Sequence, residues 1–454
     1  MGKENIKDTI CAVSTPAGVG GIAVIRLSGS EAKRMAESCL KTPSDKSVIL
    51  KNRNAKFVVF YDGDAMLDEL VATYFAAPNS YTGEDVVEFS CHGSTYIQQR
   101  ILQILIGFGA RLAEAGEFTL RAFLNGRLDL SQAEAVADLI DSQSQMAHHL
   151  AVSQMRGGYA KELEQLRQEL IDTTALLELE LDFSEEDLEL ANRERLGDMV
   201  EELYSKVKRL SDSFQTGNAI KNGIPVAIVG RPNAGKSTLL NALLNEDRAI
   251  VSDTPGTTRD TIEDSFFVDG IEFRIIDTAG LRDSDDPLEK MGMERTYKSL
   301  EKSSIILLLH DSQVPFEEFK DDIEALANHC HIDKTMLLVH TKCDLCKPDI
   351  DRGLMTAAKN GKGVEEIKRF LVKTVREKIL KNTDVLLTNA RHYEAMNKVL
   401  AALYEVRKGM EADLTPDLLV IDMRDALYHL GTITGKVSSD NVLSSVFSRF
   451  CIGK

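Results

Sequence analysis

Residues 230–237 read GRPNAGKS, a string whose residue types and spacing suit phosphate binding. Its glycines let backbone N–H groups wrap a phosphate, and the helix predicted to follow adds its positive dipole end. Lys236 can reach the β- and γ-phosphates of a nucleotide, and the Ser237 hydroxyl can bind Mg²⁺. A buried-strand pattern at residues 225–229 precedes the string, so strand, loop and helix are expected in that order. We therefore predict nucleotide contacts from Asn233, Ala234, Gly235, Lys236, Ser237 and Thr238.

Two later segments carry groups for the same phosphates and metal. The apolar run at residues 273–276 ends in DTAG, which puts the Asp277 carboxylate at the end of a strand, where it suits a magnesium shell. Gly280 lets its backbone N–H approach a γ-phosphate closely. The polar GTTRD segment offers the Thr258 hydroxyl as a second metal ligand and is typical of a loop that orders around a γ-phosphate. The predicted contacts here are Ser252, Asp253, Thr254, Pro255, Gly256, Thr257, Thr258, Asp277, Thr278, Ala279 and Gly280.

The segment MLLVHTKCD, residues 336–344, joins a buried-strand pattern to groups that can recognise a base. The Asp344 carboxylate can accept two hydrogens from the N1–H and 2-amino edge of guanine, and adenine lacks that pair of donors. Lys342 would flank the base with its alkyl stem. The TAAK segment at residues 356–359 would bring backbone amides to the guanine oxygen. The sequence thus predicts GTP as the nucleotide, with base contacts from Thr341, Lys342, Asp344, Ala357, Ala358 and Lys359.

The order of these motifs resembles that of the translation-factor-related GTPases, with two departures. Thr341 stands where the base motif usually begins with Asn, and its shorter side chain is expected to lose a contact to the base or to the phosphate loop. Leu281 follows DTAG where Ras-like proteins place a glutamine that orients the attacking water. Because an aliphatic side chain cannot orient water, the catalytic polar group must come from elsewhere.

Length and composition limit the class of protein that carries these motifs. A chain of 454 residues suggests about three domains. The net charge of -17 argues against a whole-surface nucleic-acid binder and leaves room for one local basic face. We expect a cytoplasmic protein without a membrane span, because no apolar run is long enough and no secretory h-region is present. Seven scattered cysteines make no disulfide framework, and the Cys343–Cys346 spacing lacks the second pair that a zinc site needs.

Hydrophobic patterning divides the chain into segments of different character. Strand-like runs at residues 22–27, 58–61, 71–75 and 86–89, with a helix at residues 95–106, indicate an α+β domain over residues 1–120. Long helices follow, and a polar segment at residues 214–223 with two glycines predicts a boundary. We predict a multidomain protein: the α+β N-terminal domain, an all-α helical domain in two parts, and a Ras-like α/β P-loop GTPase domain inserted into it. The helical parts span 121–216 and 384–454, and the GTPase domain spans 217–383.

Three further strings narrow the family. They are GEFTLRAFLNGRLDL at residues 116–130, SYTGEDVVE at residues 80–88 and FSRFCIGK at residues 447–454. Together with GRPNAGKS and GTTRD they resemble the MnmE (TrmE) family of tRNA modification GTPases over the whole chain. The resemblance implies addition of a carboxymethylaminomethyl group at C5 of the tRNA wobble uridine, together with the flavin-dependent partner MnmG. It also implies a homodimer formed by the N-terminal domain, a heterotetramer-type complex with MnmG, and 5-formyltetrahydrofolate as one-carbon donor.

The same resemblance assigns residues that the motifs alone leave open. It implies a folate site at Arg26, Glu88, Arg127 and Lys454, where a carboxylate can pair the donor edge of a pterin and cations can hold a glutamate tail. Arg127 stands where some relatives have Lys. It also implies that Glu289 supplies the catalytic group missing at Leu281. A potassium ion beside the phosphates is implied with ligands from Asn233, Ser252, Thr254 and Thr257.

The sequence also offers three other interpretations. The first is a ribosome-assembly GTPase whose flanking domains dock RNA; the folate-site match and the FCIGK string disfavour it, and no KH-like signature supports it. The second is a P-loop kinase, but this class of enzyme does not need the DTAG motif or the TKCD motif at residues 341–344. The third concerns Cys451, which is either functional or a small buried hydrophobe.

Overall fold

The computed structural model describes residues 8–183, 193–245, 264–276, 300–320, 334–350, 352–381, 386–448, 450 and 452–453. The chain forms two compact units. The first comprises Met1–Ala137, Gln154–Glu178 and Val420–Lys454, and the second comprises Asp138–Ser153 and Leu179–Leu419. Within the described ranges no helix is long and apolar enough to cross a membrane.

A seven-stranded sheet forms the body of the first unit, in the order β3-β4-β5-β6-β2-β1-β7. All neighbours pair antiparallel except β1 and β7. Apolar residues that alternate along the strands, such as Ile25, Leu27, Phe60 and Phe89, lie buried in one core. The strands are β1 Ile10–Val13, β2 Gly20–Ser28, β3 Leu40–Lys41, β4 Ala55–Asp62, β5 Ala65–Phe75, β6 Val86–Gly93 and β7 Arg111–Leu112; the helices are α1 Ala32–Cys39, α2 Thr95–Gly107 and α3 Glu117–Leu124. All four predicted strand runs and the predicted helix are confirmed.

Long helices follow α3, as predicted. Four of them have residues in both units: α4 Leu130–Asp141, α5 Gln145–Met155, α6 Gly158–Phe183 and α12 Pro416–Thr434. The apolar face of α6 is buried at Leu163, Leu166, Leu170 and Leu177, which recur at helical spacing. A last helix, α13 Asp440–Phe447, begins at the N-cap Ser439, whose side chain accepts a hydrogen bond from the Val442 N–H.

In the second unit, helices α7 Arg193–Asp212, α10 Val364–Lys381 and α11 Ala390–Glu411 keep their apolar faces buried. The polar segment predicted to hold a domain boundary forms helix α8, Phe214–Asn222. Gly217 lies within this helix, and a Cβ there would lie 2.2 Å from the carbonyl oxygen of Leu387. Gly223, with a φ of 82°, ends the helix.

A six-stranded sheet in the second unit holds the nucleotide motifs, in the order β13-β12-β11-β8-β10-β9. Every pairing is parallel except β9 with β10. Strands such as β11, which reads IILLLHD, are apolar on both faces, as expected for a parallel sheet covered on both sides. The strands are β8 Ile224–Gly230, β9 Ser265–Val268, β10 Ile271–Ile275, β11 Ile305–Asp311, β12 Thr335–Thr341 and β13 Leu354–Met355, and α9 Lys236–Asn245 follows β8. The predicted fold class is confirmed, since the α+β unit, the helices and the α/β sheet are all present. The limits between the domains stay a prediction.

Candidate functional site

The phosphate loop connects the carboxyl end of β8 to the first turn of α9. Its backbone takes the left-handed conformation at Asn233, with a φ of 63°, and at Gly235, with a φ of 86°. Asn and Gly are the residues that adopt this conformation at lowest cost. A Cβ on Gly230 would lie 2.8 Å from the carbonyl oxygen of Leu309, so the start of the loop also requires glycine. The strand, loop and helix predicted from GRPNAGKS are confirmed.

Lys236 opens α9, and its ammonium lies over the loop itself. Its Nζ lies 2.8 Å from the Gly230 carbonyl oxygen and 2.9 Å from that of Arg231. Burial lowers the pKa of this ammonium. Ser237 and Thr238 follow on the exposed side of the helix start. The loop therefore gathers a cation, a hydroxyl and a helix N-terminus, the groups that bind a phosphate chain and its metal.

Thr341, at the end of β12, joins the base motif to the phosphate loop. Its Oγ1 donates to the carbonyl oxygen of Ala234 over 2.8 Å and lies 3.2 Å from the carbonyl oxygen of His310. Gly235 packs against the same side chain, because a Cβ there would lie 3.6 Å from the Thr341 Cβ. The expected loss of a contact to the phosphate loop does not occur: the threonine hydroxyl reaches it.

The other base-motif residues are held by the neighbouring strand and loop. Lys342, with a φ of 55°, donates from Nζ to Oδ2 of Asp311 over 2.6 Å. Asp344 lies exposed, so the base itself must bury this carboxylate if it is to select guanine. Sequence reasoning missed Asp311, although an aspartate at the carboxyl end of a largely apolar strand is also the signal that identified Asp277.

The TAAK segment lies beside the base motif through backbone hydrogen bonds. The Cys343 N–H donates to the Thr356 carbonyl oxygen over 3.1 Å, and the Thr356 N–H donates to the His340 carbonyl oxygen over 2.7 Å. Ala357 is buried, and a short 3₁₀ turn, Ala358–Asn360, follows. The structure thus brings both predicted base segments together.

Cys343 and Cys346 have separate environments. The Cys343 thiol donates to the carbonyl oxygen of His340 over 3.3 Å, and Cys346 is exposed. In the part of the chain that the structure describes, no three His, Cys, Asp or Glu side chains are grouped to hold a metal ion.

Several predicted site residues lie outside the described residues. They are Ser252, Asp253, Thr254, Pro255, Gly256, Thr257, Thr258, Asp277, Thr278, Ala279, Gly280, Glu289 and Lys454, together with Leu281 and Cys451.

In the first unit, Arg26 and Glu88 form an ion pair. They are register partners on β2 and β6, and Nε and Nη2 of Arg26 both lie 2.9 Å from Oε1 of Glu88. The guanidinium carbon lies 5.0 Å from the centroid of the Tyr81 ring and 5.5 Å from that of Phe118. Stacking on two rings limits the positions that the Arg26 side chain can take. The two residues that the family resemblance singled out are thus in contact.

Arg127 is exposed and lies against the loop that carries Tyr81. A Cβ on Gly83 would lie 3.2 Å from the Arg127 Cγ. The side-chain amide of Asn125 donates to the Thr82 carbonyl oxygen over 2.8 Å and so fixes the two loops to each other. Arg127 is therefore held beside the 80–84 loop.

A buried charge network centred on Arg121 supports the same loop. Arg121 is 1% exposed, and its Nη2 lies 2.7 Å from Asp8 and 2.9 Å from Glu117. Nη1 lies 3.2 Å from Oε2 of Glu84, which also accepts a hydrogen bond from Ser28. Burial by itself raises the pKa of Glu117. Hydrogen bonds from Arg111, the Glu114 N–H and Arg121 lower the pKa by more than burial raises it, so the net pKa lies below its ordinary value. Sequence reasoning missed this network, and only the Glu117–Arg121 spacing of four residues signalled it.

The residues just before Lys454 pack at the end of β1. Ile452 forms a β-bridge with Ala115, and the Ser14 hydroxyl donates to the Gly453 carbonyl oxygen over 3.0 Å. A Cβ on Gly453 would lie 2.2 Å from the Val13 carbonyl oxygen, so this approach requires glycine. The C-terminal string is thus anchored in the first unit.

In a comparison with known proteins, two family models together match nearly the whole chain. The model described as the MnmE helical domain matches residues 130–451, and the model described as the GTP-binding protein TrmE N-terminus matches residues 9–127. The tRNA modification GTPase MnmE of Flavobacterium johnsoniae is 47% identical over 99% of both chains. The protein of the same name from Christiangramia forsetii is 46% identical, over 99% of this chain and all of its own.

Among solved structures, the G domain of the T. maritima iron transporter FeoB is 28% identical. It covers 33% of this chain and 97% of its own, with a TM-score of 0.25.

Proposed function

Because this chain belongs to the MnmE family of tRNA modification GTPases, we propose that its GTP hydrolysis serves the C5 modification of the tRNA wobble uridine, with MnmG as partner. The observation that supports the nucleotide assignment most directly is the hydrogen bond from Thr341 to Ala234, which joins base motif and phosphate loop into one site. The modification would add a carboxymethylaminomethyl group. The chain would act as a homodimer, in a heterotetramer-type complex with MnmG, in the cytoplasm.

The phosphate loop has ligands that suit the two ions we assign to it. The Ser237 hydroxyl stands beside Lys236 at the start of α9, and we assign it to Mg²⁺ together with Thr258. Asn233 is exposed and carries a neutral carbonyl oxygen, a ligand type suited to potassium, and we group it with Ser252, Thr254 and Thr257. When bound, the two ions supply positive charge to the β- and γ-phosphate oxygens.

The chain's own groups orient the nucleotide around those ions. The Lys236 ammonium, which now lies on loop carbonyl oxygens, is within reach of the β- and γ-phosphates through its flexible stem. Asp344 accepts from the guanine edge, and the amides of the TAAK segment donate to the guanine oxygen. Glu289 orients the attacking water in place of Leu281.

A reduced folate is the ligand that we assign to the Arg26–Glu88 site. Both contacts of Arg26 go to Oε1 of Glu88, so Oε2 remains for the donor edge of a pterin. Arg26 itself is stacked on aromatic rings and acts to orient that carboxylate. Arg127 and Lys454 are the cations assigned to the glutamate tail of 5-formyltetrahydrofolate.

Glu88→Gln should weaken 5-formyltetrahydrofolate binding by at least about tenfold. The amide loses the ion pair with Arg26 and turns a donor toward a donor edge, so the hydrogen bond to the pterin is lost. Calorimetry on the full-length protein measures this, since Lys454 contributes to the site. Glu69→Gln, an exposed carboxylate on β5 of the same sheet, is the matched control and should bind as the parent does. A parent that gives no heat at high micromolar folate, or an unaffected Glu88→Gln, contradicts the assignment.

Removal of the gene should abolish the C5 modification of wobble uridines. The measurement is nucleoside analysis of tRNA from cells with and without the protein, with the parent chain and Lys236→Ala reintroduced separately. Restoration by the parent alone ties the modification to nucleotide binding. Normal wobble nucleosides together with accumulated ribosomal precursors would instead support the ribosome-assembly alternative.

A further inference from the structure

Two buried histidines lie side by side near the ends of β11 and β12, each directly before a residue of the nucleotide site. His310 on β11 and His340 on β12 are register partners, 1% and 0% exposed, and their Nδ1 atoms lie 2.9 Å apart. The residue after each contributes to the nucleotide site. Asp311 pairs with Lys342, and Thr341 donates to the phosphate loop. The histidine pair therefore links the two strand ends that carry the guanine-binding groups.

The hydrogen bonds of the pair define where its protons lie. His340 Nε2 lies 2.6 Å from the carbonyl oxygen of Arg352, which can only accept, so this nitrogen carries a proton. His340 Nδ1 then accepts from Nδ1–H of His310 in a neutral pair. His310 Nε2 is left without a proton, and it has no hydrogen-bond partner among the described residues. The rings of Phe316 and Phe319 pack beside the His310 ring, with centroid distances of 5.4 and 5.0 Å.

His340 also fixes the path of the TAAK segment. Its side chain holds the carbonyl oxygen of Arg352, and its backbone carbonyl oxygen accepts from the Thr356 N–H. These two bonds hold both ends of residues 352–356, the segment that leads to Ala357 and Lys359. A shift of the His340 ring would move this segment relative to Asp344.

We propose that His310 and His340 are positioning residues for guanine recognition, and that uptake of one proton at Nε2 of His310 loosens the hold of the base motif on guanine. The neutral pair keeps the ends of β11 and β12 and the TAAK segment in one arrangement. A proton on His310 places a cation among phenylalanine rings beside a second imidazole, which favours rearrangement.

The groups around His310 favour its neutral form. Burial lowers the pKa of His310, and the neighbouring His340 lowers it further; the Val314 carbonyl, Asp349 and Asp311 act in the opposite direction and do not reverse the net shift. Lys342 neutralises Asp311, and the Cys343 thiol contacts the His340 carbonyl oxygen. Because the folded pKa of His310 lies below the unfolded value of about 6.5, neutral His310 contributes its full stability above pH 6.5. That contribution is lost as the pH falls toward the folded pKa.

The test compares fluorescent GDP and IDP analogues between pH 5 and 8. Inosine lacks the 2-amino group that Asp344 accepts from, so the ratio of GDP to IDP affinity reports how well the base motif is placed. Both ligands carry the same diphosphate, so phosphate titration cancels in the ratio. The parent should keep a constant ratio from pH 7 to 8, and the ratio should fall at the acid end of the range.

Three variants separate positioning from simple destabilisation. His310→Asn keeps a donor at the position of Nδ1 and cannot titrate, so its ratio should stay high and independent of pH. His310→Phe removes the donor, leaves His340 Nδ1 buried without a partner, and should reduce the ratio about tenfold at every pH. His149→Gln, an exposed histidine, should follow the parent.

A parent ratio that is constant down to pH 5, a pH-dependent His310→Asn, or an unchanged His310→Phe would each overturn the proposal. If His310→Phe does not fold, the pH profile of His310→Asn decides.

Discussion

GTP hydrolysis by this protein should be about 10³–10⁵-fold faster in potassium than in sodium, the size of contribution that an arginine finger makes. The neutral oxygen ligands that we assign around Asn233 should fit the smaller sodium ion poorly. The assigned ligands Ser252, Thr254 and Thr257 belong to the same polar segment as Thr258, so ordering that segment should also bring two G domains together face to face. Single-turnover hydrolysis in matched potassium and sodium buffers measures the effect. Equal rates in the two salts would rule out the cation mechanism.

The same experiment assigns the water-orienting group. Glu289→Ala should keep nucleotide affinity and potassium-stimulated dimerisation while losing most turnover, because Leu281 cannot orient water and a positioned acid or base is worth roughly 10²–10⁴ in rate. Asp285→Ala, an acidic residue of the same segment, is the matched control and should hydrolyse GTP as the parent does. An active Glu289→Ala would show that another residue orients the water.

Asp344→Asn should weaken GTP binding by roughly 10²–10⁴-fold and favour xanthine nucleotides. Two hydrogen bonds to a charged acceptor contribute about 1.5–3 kcal/mol each. The amide of Asn faces the guanine 2-amino group with a donor, whereas the 2-oxo group of xanthine accepts from it. Because Asp344 is exposed in the structure, the substitution should leave the free energy of unfolding nearly unchanged.

Parallel titrations of fluorescent GDP and XDP analogues measure this switch. Asp417→Asn, an exposed aspartate in the first turn of α12, controls for the change of net charge and should retain the preference for GDP. Unchanged GDP affinity in Asp344→Asn would remove Asp344 from the site.

Local patterns predicted the parts of the site that local geometry determines. The glycines and Lys236 of the phosphate loop were predictable because strand, turn and helix follow one another within about twenty residues. The pairing of Lys342 with Asp311 was not, because it depends on β11 and β12 being neighbours in the sheet. Arg121 shows the same limit, since its partners Asp8 and Glu84 lie 113 and 37 residues away.

Helix α8 shows what a local pattern leaves open. Two glycines in a polar segment predicted a domain boundary, but they did not predict that Gly217 lies inside a helix where Leu387, 170 positions later, leaves no room for a Cβ. The family resemblance added an expectation that no local pattern contains, namely that Arg26 and Glu88 belong to one site. The structure shows these two side chains in an ion pair.

The anchoring of Gly453 on Ser14 has a consequence for the time course of synthesis. The two residues are separated by 439 positions, and a ribosome adds about 5–20 residues per second, so roughly 20–90 s pass between them. The seven strands of the first sheet have all been made by residue 112, well before the nucleotide-binding sheet. In a nascent chain the end of β1 therefore stays uncovered for most of translation. Gly453 can cover it only after the residues of the GTP site have been made.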